Sequence, residues 1–376
     1  MLSDSRTVAQ ETLKPRTRPT ICSMSAVEWL DGMSPWPRDG FGVDRMRALL
    51  AELGDPQRSY PAIHVVGTNG KSTATITVEQ LLLGEGLSVG ATISPHVVSW
   101  SERIRVNGAE AAFEEAVARV RQAAERLQAT QFEIVTAAAL TAFAGAAVDV
   151  AVVEAGLGGR YDATNVLQTR VVLLTNVGLE HTDVLGDTLE AIATEKLAVA
   201  PPDATVVLPD ETYVDLVSGC EIRFGAAREA AEAFVGHPID ARPDVALPGR
   251  LERRAGEVRD GAHNPDGARY LVEQLDRDDH TIVASILADK DVHAMLRILR
   301  RAGPRFVATT SSSARALPAA DLAELAGAHF DHIEVVADPR AAVARAHELG
   351  EPVLVTGSLY LLGDLAQEEQ RASWHA

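Results

Sequence analysis

One segment constrains this chain more than any other: an apolar run breaks into small residues and is followed at once by a lysine, Ile63-His-Val-Val-Gly-Thr-Asn-Gly-Lys-Ser-Thr73. A β-rich run that ends in such a loop and opens a helix reads as the first strand, turn and helix of a parallel α/β unit, with backbone N–H groups converging on an anion. In that reading Gly67, Thr68, Asn69 and Gly70 cradle phosphate, the Lys71 ammonium reaches the terminal phosphates, and Ser72 or Thr73 offers a hydroxyl to Mg²⁺. The commoner, longer pattern needs a glycine where Val65 stands, so only the short G-x-x-G-K-S form is present. On this motif alone a plain turn with an exposed lysine stays open.

A chain of 376 residues is long enough for two ordinary cores. No apolar run approaches the roughly 20 residues of a membrane span. Two cysteines, Cys22 and Cys220, allow neither a disulfide framework nor a cysteine-rich zinc site and suit a reducing cytoplasm. A formal charge of −18 argues against a broad nucleic-acid surface, so a nucleotide would need local basic groups. Residues 1–23 are polar, carry Asp4 and Glu11, and lack the apolar core of a secretory signal. They read as a flexible tail. Met24 stands directly before the first patterned segment, so an over-called start codon would explain the tail.

From residue 40 onward short β-rich runs (62–66, 88–93, 148–154, 170–177) alternate with helical patterns (71–84, 111–128, 133–146, 187–199). That rhythm predicts a parallel sheet covered on both faces. Shorter runs at 204–208 and 220–225 suggest a small side sheet closing this domain. The periodicity lapses at Arg242-Pro-Asp-Val-Ala-Leu-Pro-Gly249, the expected linker, and then restarts with strands at 281–288, 304–310, 332–338 and 351–358. The expected organisation is a tail at 1–23, a parallel-sheet domain with the phosphate loop at 24–247, and a smaller Rossmann-like α/β domain at 248–376.

Glu154 closes the run Val148–Glu154 and precedes a Gly-rich turn. A carboxylate at that place is costly unless paired or bound to a metal, which favours Mg²⁺ beside a phosphate loop. Arg160 and Asp162, taken alone, read as an exposed ion pair. His181, in Thr175-Asn-Val-Gly-Leu-Glu-His-Thr-Asp183, also follows an apolar run, so Lys71, Glu154 and His181 are expected to converge on the carboxyl edge of one sheet.

Six ordered blocks carry a resemblance: H-V-V-G-T-N-G-K, S-P-H-V-V-S-W-S-E-R-I-R-V-N-G, F-E-I-V-T-A-A-A-L, V-V-E-A-G-L-G-G-R-Y-D-A-T-N-V, T-N-V-G-L-E-H-T-D-V-L-G-D-T and D-G-A-H-N-P. Together, from about residue 40 to 358, the chain resembles folylpolyglutamate synthase/dihydrofolate synthase, of the Mur ligase superfamily. The resemblance implies a cytoplasmic ligase that is a monomer and uses ATP and Mg²⁺. Such an enzyme activates the carboxylate of dihydropteroate or a reduced folate to an acyl phosphate, which the amine of L-glutamate attacks.

It further implies that Lys71 holds the β- and γ-phosphates and that Ser94, Glu154 and His181 serve the metals. Lys196 matches a lysine that is carbamylated to make an anionic ligand, although the residues alone suggest a solvated helix lysine. The loop with Pro95, His96 and Arg103, together with Phe132 and Glu133, is implied to lie near the pterin. A surface connection with a hairpin at Asn107-Gly108 stays open beside it. Arg250, Asp260 and His263 are implied to touch the nucleotide across a two-domain cleft.

Three departures stand out: Ser72 where the family usually has glycine, Glu195-Lys-Leu-Ala-Val199 in place of Glu-Lys-Ala-Gly-Ile, and a shortened stretch from about 209 to 258. They keep two alternatives open, a Mur-type ligase for a different carboxylate and amine, or a nucleotide-binding homologue that has lost catalysis.

Overall fold

The computed structural model describes residues 24–373 except 36, 38 and 39, so the tail expected at 1–23 lies outside the described residues. Two short helices come first: α1 (Ala26–Asp31), closed by a capping box between Ser25 and Glu28, and α2 (Asp44–Glu52). The first sheet contains β1 (Ala62–Val66), β2 (Val89–Thr92), β3 (Ile104–Val106), β4 (Ala109–Glu110), β5 (Val150–Glu154), β6 (Thr169–Leu174), β7 (Thr205–Leu208) and β8 (Glu221–Phe224). Its order is β4-β3-β2-β5-β1-β6-β7-β8. In that order every pairing from β2 through β5, β1, β6 and β7 to β8 is parallel, while β3 runs antiparallel to both β2 and β4 at the edge.

Central strands β1 and β5 are buried along their whole length, as their mostly apolar runs, broken only by His64 and Glu154, require of strands covered on both faces. One face packs α3 (Lys71–Gly84) and, from further along the chain, α8 (Ala227–Val235). The other face is divided. Helices α4 (Phe113–Leu127) and α5 (Gln131–Gly145) join α1 and α2 over β1 and β5, while the second patch covers β6 and β7 and takes in Leu197 of α7 (Leu189–Leu197). The short α6 (Thr182–Leu185) lies between β6 and α7.

The hairpin anticipated at Asn107-Gly108 is present, with φ 51° and 80° at the two turn residues, the left-handed pair that a tight hairpin asks for. The side sheet anticipated at 204–208 and 220–225 is corrected. Those strands extend the main sheet in parallel, Val206 opposite Ile222, because Val206, Val207 and Leu208 are fully buried and need cover from a further strand.

The second sheet contains β9 (Glu252–Arg254), β10 (Glu257–Arg259), β11 (Thr281–Ala284), β12 (Arg305–Ala308), β13 (His332–Val335) and β14 (Val353–Thr356), in the order β13-β12-β11-β14-β10-β9. Only β9 runs antiparallel. Helices α9 (Pro265–Glu273), α10 (Val292–Leu299) and α11 (Ala319–Ala326) cover one face; α12 (Pro339–Leu349) and α13 (Leu359–Ser373) cover the other. The chain thus has the expected α/β class, a large parallel-sheet unit followed by a smaller Rossmann-like one. Helix α13 was not anticipated. Among the described residues no helix is long and apolar enough to cross a membrane.

Candidate active site

Parallel strands present their carboxyl ends along one edge, and the turns leaving β1, β2, β5 and β6 bring most of the sequence-selected residues there. Gly67 and Gly70 have φ of 148° and 79°, conformations that side chains resist. A Cβ at Gly67 would overlap Thr175 Oγ1 at the end of β6. Thr175 Oγ1 donates to Asn69 O (2.7 Å), Asn69 N donates to Asn176 Oδ1 (2.9 Å), and Thr68 N donates to Asn176 O (3.1 Å). The end of β6 therefore fixes the loop's shape. The amides opening α3 at Gly70, Lys71, Ser72 and Thr73 have no intrahelical acceptors and present positive charge to the cleft.

Lys71 Nζ donates to Thr68 O at 3.1 Å, curled back over the loop. Ser72 Oγ donates to Glu154 Oε1 at 3.1 Å, and Ser94 N donates to Glu154 Oε2 at 2.9 Å. Of the two candidate hydroxyls, Ser72 is thus the one beside Glu154, whereas Thr73 is exposed. Burial pushes the Glu154 carboxyl up, opposed by the Lys71 charge and by its hydrogen bonds to Ser94 and Ser72.

Lys196 is buried at 4% exposure and donates from Nζ to Gly67 O at 2.7 Å. The solvated-lysine reading is corrected: α7 packs edge-on against the Gly-rich turn after β5, so its inner face cannot reach water. Burial, helped by the Lys71 charge, brings the Lys196 ammonium down to about 7. The expected Arg160–Asp162 ion pair is also corrected. Arg160 pairs with Glu195 (3.3 Å), and Asp162 is buried, accepting N–H from Leu157 (2.7 Å) and Thr164 (2.9 Å). Its carboxylate serves the bend of the turn.

The 94–103 loop holds its own geometry. Glu102 accepts the amides of Val97, Val98 and Ser99, at 2.9, 2.6 and 2.6 Å. Arg103 Nε donates to His96 Nδ1 (2.9 Å), and its guanidinium lies 4.4 Å from the Trp100 ring centre. Burial and the Arg103 charge depress His96 to about 3, leaving a neutral imidazole. Pro95 follows Ser94 at the start of this loop. Phe132 packs its ring on Gly156, where a Cβ would come within 2.5 Å of it. Glu133 points elsewhere: it caps α5 through Thr130 and pairs with Arg45 at 2.9 Å.

The second unit meets this edge directly. Asn69 and Asn264 exchange side-chain amide contacts at 3.1 and 3.4 Å. Glu180 Oε1 lies 3.4 Å from His263 Nε2, 3.7 Å from His181 Nε2 and 3.9 Å from Lys290 Nζ. Burial alone would raise the Glu180 carboxyl, but the His263 hydrogen bond and the charges of His263, His181 and Lys71 outweigh it and hold the group at about 2. His181 is the residue before α6, at φ 51°, with its imidazole partly exposed. Asp260 uses both oxygens on backbone, accepting Leu251 N and Ala262 N at 2.8 Å each. Arg250 donates to Gly249 O at 3.2 Å beside it. Sequence reasoning passed over Glu180 and Lys290. Glu180 adjoins His181 in the quoted block, and Lys290 sits in the turn after β11, where the rule that selected His181 would have found it.

Two facing α/β units with a Gly-rich loop opening on Lys71, a buried Glu154 and several basic side chains between them have the arrangement of the Mur ligase class. Residues 65–218 match the Mur ligase middle domain, and residues 249–359 match the Mur ligase, glutamate ligase domain. The chain is 32% identical to the dihydrofolate synthase/folylpolyglutamate synthase of Mycobacterium tuberculosis, over 88% of this chain and 87% of that one. It belongs to the folylpolyglutamate synthase/dihydrofolate synthase family. Similar solved structures include E. coli FolC in complex with DHPP and ADP, with TM-score 0.84 and 25% identity over 94% of this chain and 99% of that one. A Yersinia pestis bifunctional folylpolyglutamate synthase/dihydrofolate synthase complexed with AMPPNP and Mn ion superposes with TM-score 0.81 and 26% identity, over 96% of this chain and all (100%) of that one.

Proposed function

We propose that this chain joins L-glutamate to the carboxylate of dihydropteroate, of a reduced folate, or of both, at the expense of ATP. It is an ATP-dependent acid–amino-acid ligase. The observation that carries the reading is the Ser72–Glu154 contact of 3.1 Å beside the Lys71 loop, with His263 and Lys290 of the second unit meeting Glu180 on the turn after β6.

A divalent metal fits this donor set. Among the described residues no three His, Cys, Asp or Glu side chains converge into a ready cage. Mg²⁺ does not ask for one: it is commonly held by one or two carboxylates, its own waters and substrate phosphates. Ser72 and Glu154 would hold it, with Ser94, His181 and, once carbamylated, Lys196 in support. When bound, it would neutralise charge on the transferring phosphoryl group.

In the first step a carboxylate oxygen of the acid attacks the γ-phosphorus of ATP, and ADP leaves with the bridging oxygen. Lys71 and the opening amides of α3 stabilise the charge spread over the phosphoryl oxygens. In the second step the glutamate amine attacks the acyl carbonyl, the C–O bond to phosphate breaks, and the amine gives up a proton. Gly67, Thr68, Asn69, Gly70, Arg250, Asp260 and His263 border the nucleotide, and Pro95, His96, Arg103 and Phe132 border the acid, while Glu133 is held by Thr130 and Arg45. Approach of the two units keeps water from the acyl phosphate. The acidic, cysteine-poor sequence supports a cytoplasmic enzyme, and we take it to act as a monomer.

The test is ADP release by metal-replete protein with dihydropteroate, a reduced folate or unrelated carboxylates, each with and without L-glutamate. Release that requires a pteroate-type acid and glutamate supports the reading. Release that answers only to another carboxylate and amine would leave a Mur-type ligase of different substrate.

A further inference from the structure

The connection from β5 to β6 is not a helix. Residues 155–168 run back as an irregular loop whose polar residues Asp162 and Thr164 are buried under the fold at 6% and 1% exposure. Beneath them His64, in the middle of β1, is fully buried. Its Nε2 lies 2.8 Å from Thr164 Oγ1, and its Nδ1 is buried without a partner among the described residues.

Proton accounting fixes the direction of this chain. The Asp162 carboxylate already accepts Leu157 N on one oxygen and Thr164 N on the other, and the Thr164 hydroxyl donates to Asp162 Oδ1. That hydroxyl has no second proton, so it accepts from His64 Nε2–H. Burial keeps the imidazole neutral, with its pKa brought down to about 3. The imidazole is therefore a one-directional donor that strings β1 to the loop.

The loop's other end touches the chemistry. Arg160 N donates to Glu195 O at 3.0 Å, and a Cβ at Gly159 would stand 2.6 and 2.7 Å from the carbonyl oxygens of Lys196 and Glu195. Lys196 in turn donates to Gly67 O, three residues after His64 on the strand that carries the phosphate loop. The circuit closes on β1.

We propose that His64 is a positioning residue for the ligase reaction: through Thr164 and Asp162 it sets the Gly156–Arg160 turn, and through that turn the placement of Lys196 against the phosphate loop. It touches neither nucleotide nor acid. The inference rests on the ligase reading above, and the experiment separates the two, since a wild-type chain without ligase activity sinks that reading before any variant is compared.

Kinetics of the full chain with ATP, the active acid and glutamate would compare His64→Leu, which keeps bulk and loses the donor, with His64→Gln, which restores an N–H near the Nε2 position. A misplaced reacting group commonly costs on the order of 10- to 100-fold. We expect His64→Leu to lose about tenfold or more in kcat, with KM for ATP and for the acid within about twofold, and His64→Gln to recover most of the loss. Thr164→Val and Thr164→Ser repeat the contrast if His64→Leu does not fold: valine should match the leucine defect and serine should approach wild type. An unchanged kcat in His64→Leu or Thr164→Val overturns the proposal. So does glutamine failing as badly as leucine, or KM values rising in parallel with the loss in kcat, because each marks general packing.

Discussion

Glu180 Oε1 stands 3.4 Å from His263 Nε2 and 3.9 Å from Lys290 Nζ, so a single carboxylate on the turn after β6 receives two of the basic side chains that the second unit brings to the cleft. Its side chain and that of Lys290 are each only 15% exposed, which lifts the contact above the usual surface pair. Glu180→Gln keeps the shape and removes the charge. A charged hydrogen bond of this kind is worth about 1.5–3 kcal/mol, so kcat/KM should fall by about tenfold or more. Thermal unfolding measured alongside should stay near wild type, because the pair joins two units that each have their own core. A large drop in melting temperature with normal kinetics would make it a structural pair.

Lys71→Ala should abolish turnover while leaving the fold intact. On the proposed reading the ammonium acts on phosphate charge, and its hydrogen bond among the described residues is to Thr68 O. Loss of a comparable transition-state donor costs on the order of 10²-fold or more in kcat. Near-normal ligation by a folded variant would remove the phosphate-loop assignment.

Lys196 should leave a signature in stability against pH. Its pKa is about 7 in the fold, against about 10.4 in an unfolded chain. Between those values the unfolded state binds more protons, so stability rises with pH from 7 toward 10. In CO₂-free buffer the slope from this group should be on the order of 1 kcal/mol per pH unit, and Lys196→Met should flatten it and stabilise the protein near pH 7. The same variant should slow phosphoryl transfer more than it weakens ATP binding. Denaturant titrations across that range, with single-turnover kinetics, check both halves. An unchanged slope would show that the ammonium is solvated.

Gly159→Ala should destabilise and impair together. The added Cβ meets backbone carbonyls of Glu195 and Lys196 at 2.7 and 2.6 Å, and backbone cannot rotate away. Overpacking of this kind costs about 1–3 kcal/mol, visible in urea unfolding, and kcat should fall as α7 shifts. Retained stability would mean that the turn and α7 are less tightly joined than these distances require.

The sequence by itself determined the alternation of strands and helices, the helix at Lys71–Gly84 and the edge at which Lys71, Glu154 and His181 would gather. Those features come from period, loop chemistry and chain direction, all local. It also carried the family, through blocks that fall mostly at separate strand ends, with one at the start of α5. Only the tertiary structure decided which side chains are spent on the scaffold: Glu133 on a helix cap and Arg45, Asp260 on two backbone amides, Asp162 on its own turn. Burial of Lys196 was hidden because a short helix with charged neighbours reads as solvated until another segment covers it, here the turn at Gly159. The Glu180–His263–Lys290 contact was hidden for the same reason on a larger scale. Residues 83 and 110 positions apart meet only when two independently patterned sheets face each other, and the strength of a charge depends on what closes over it.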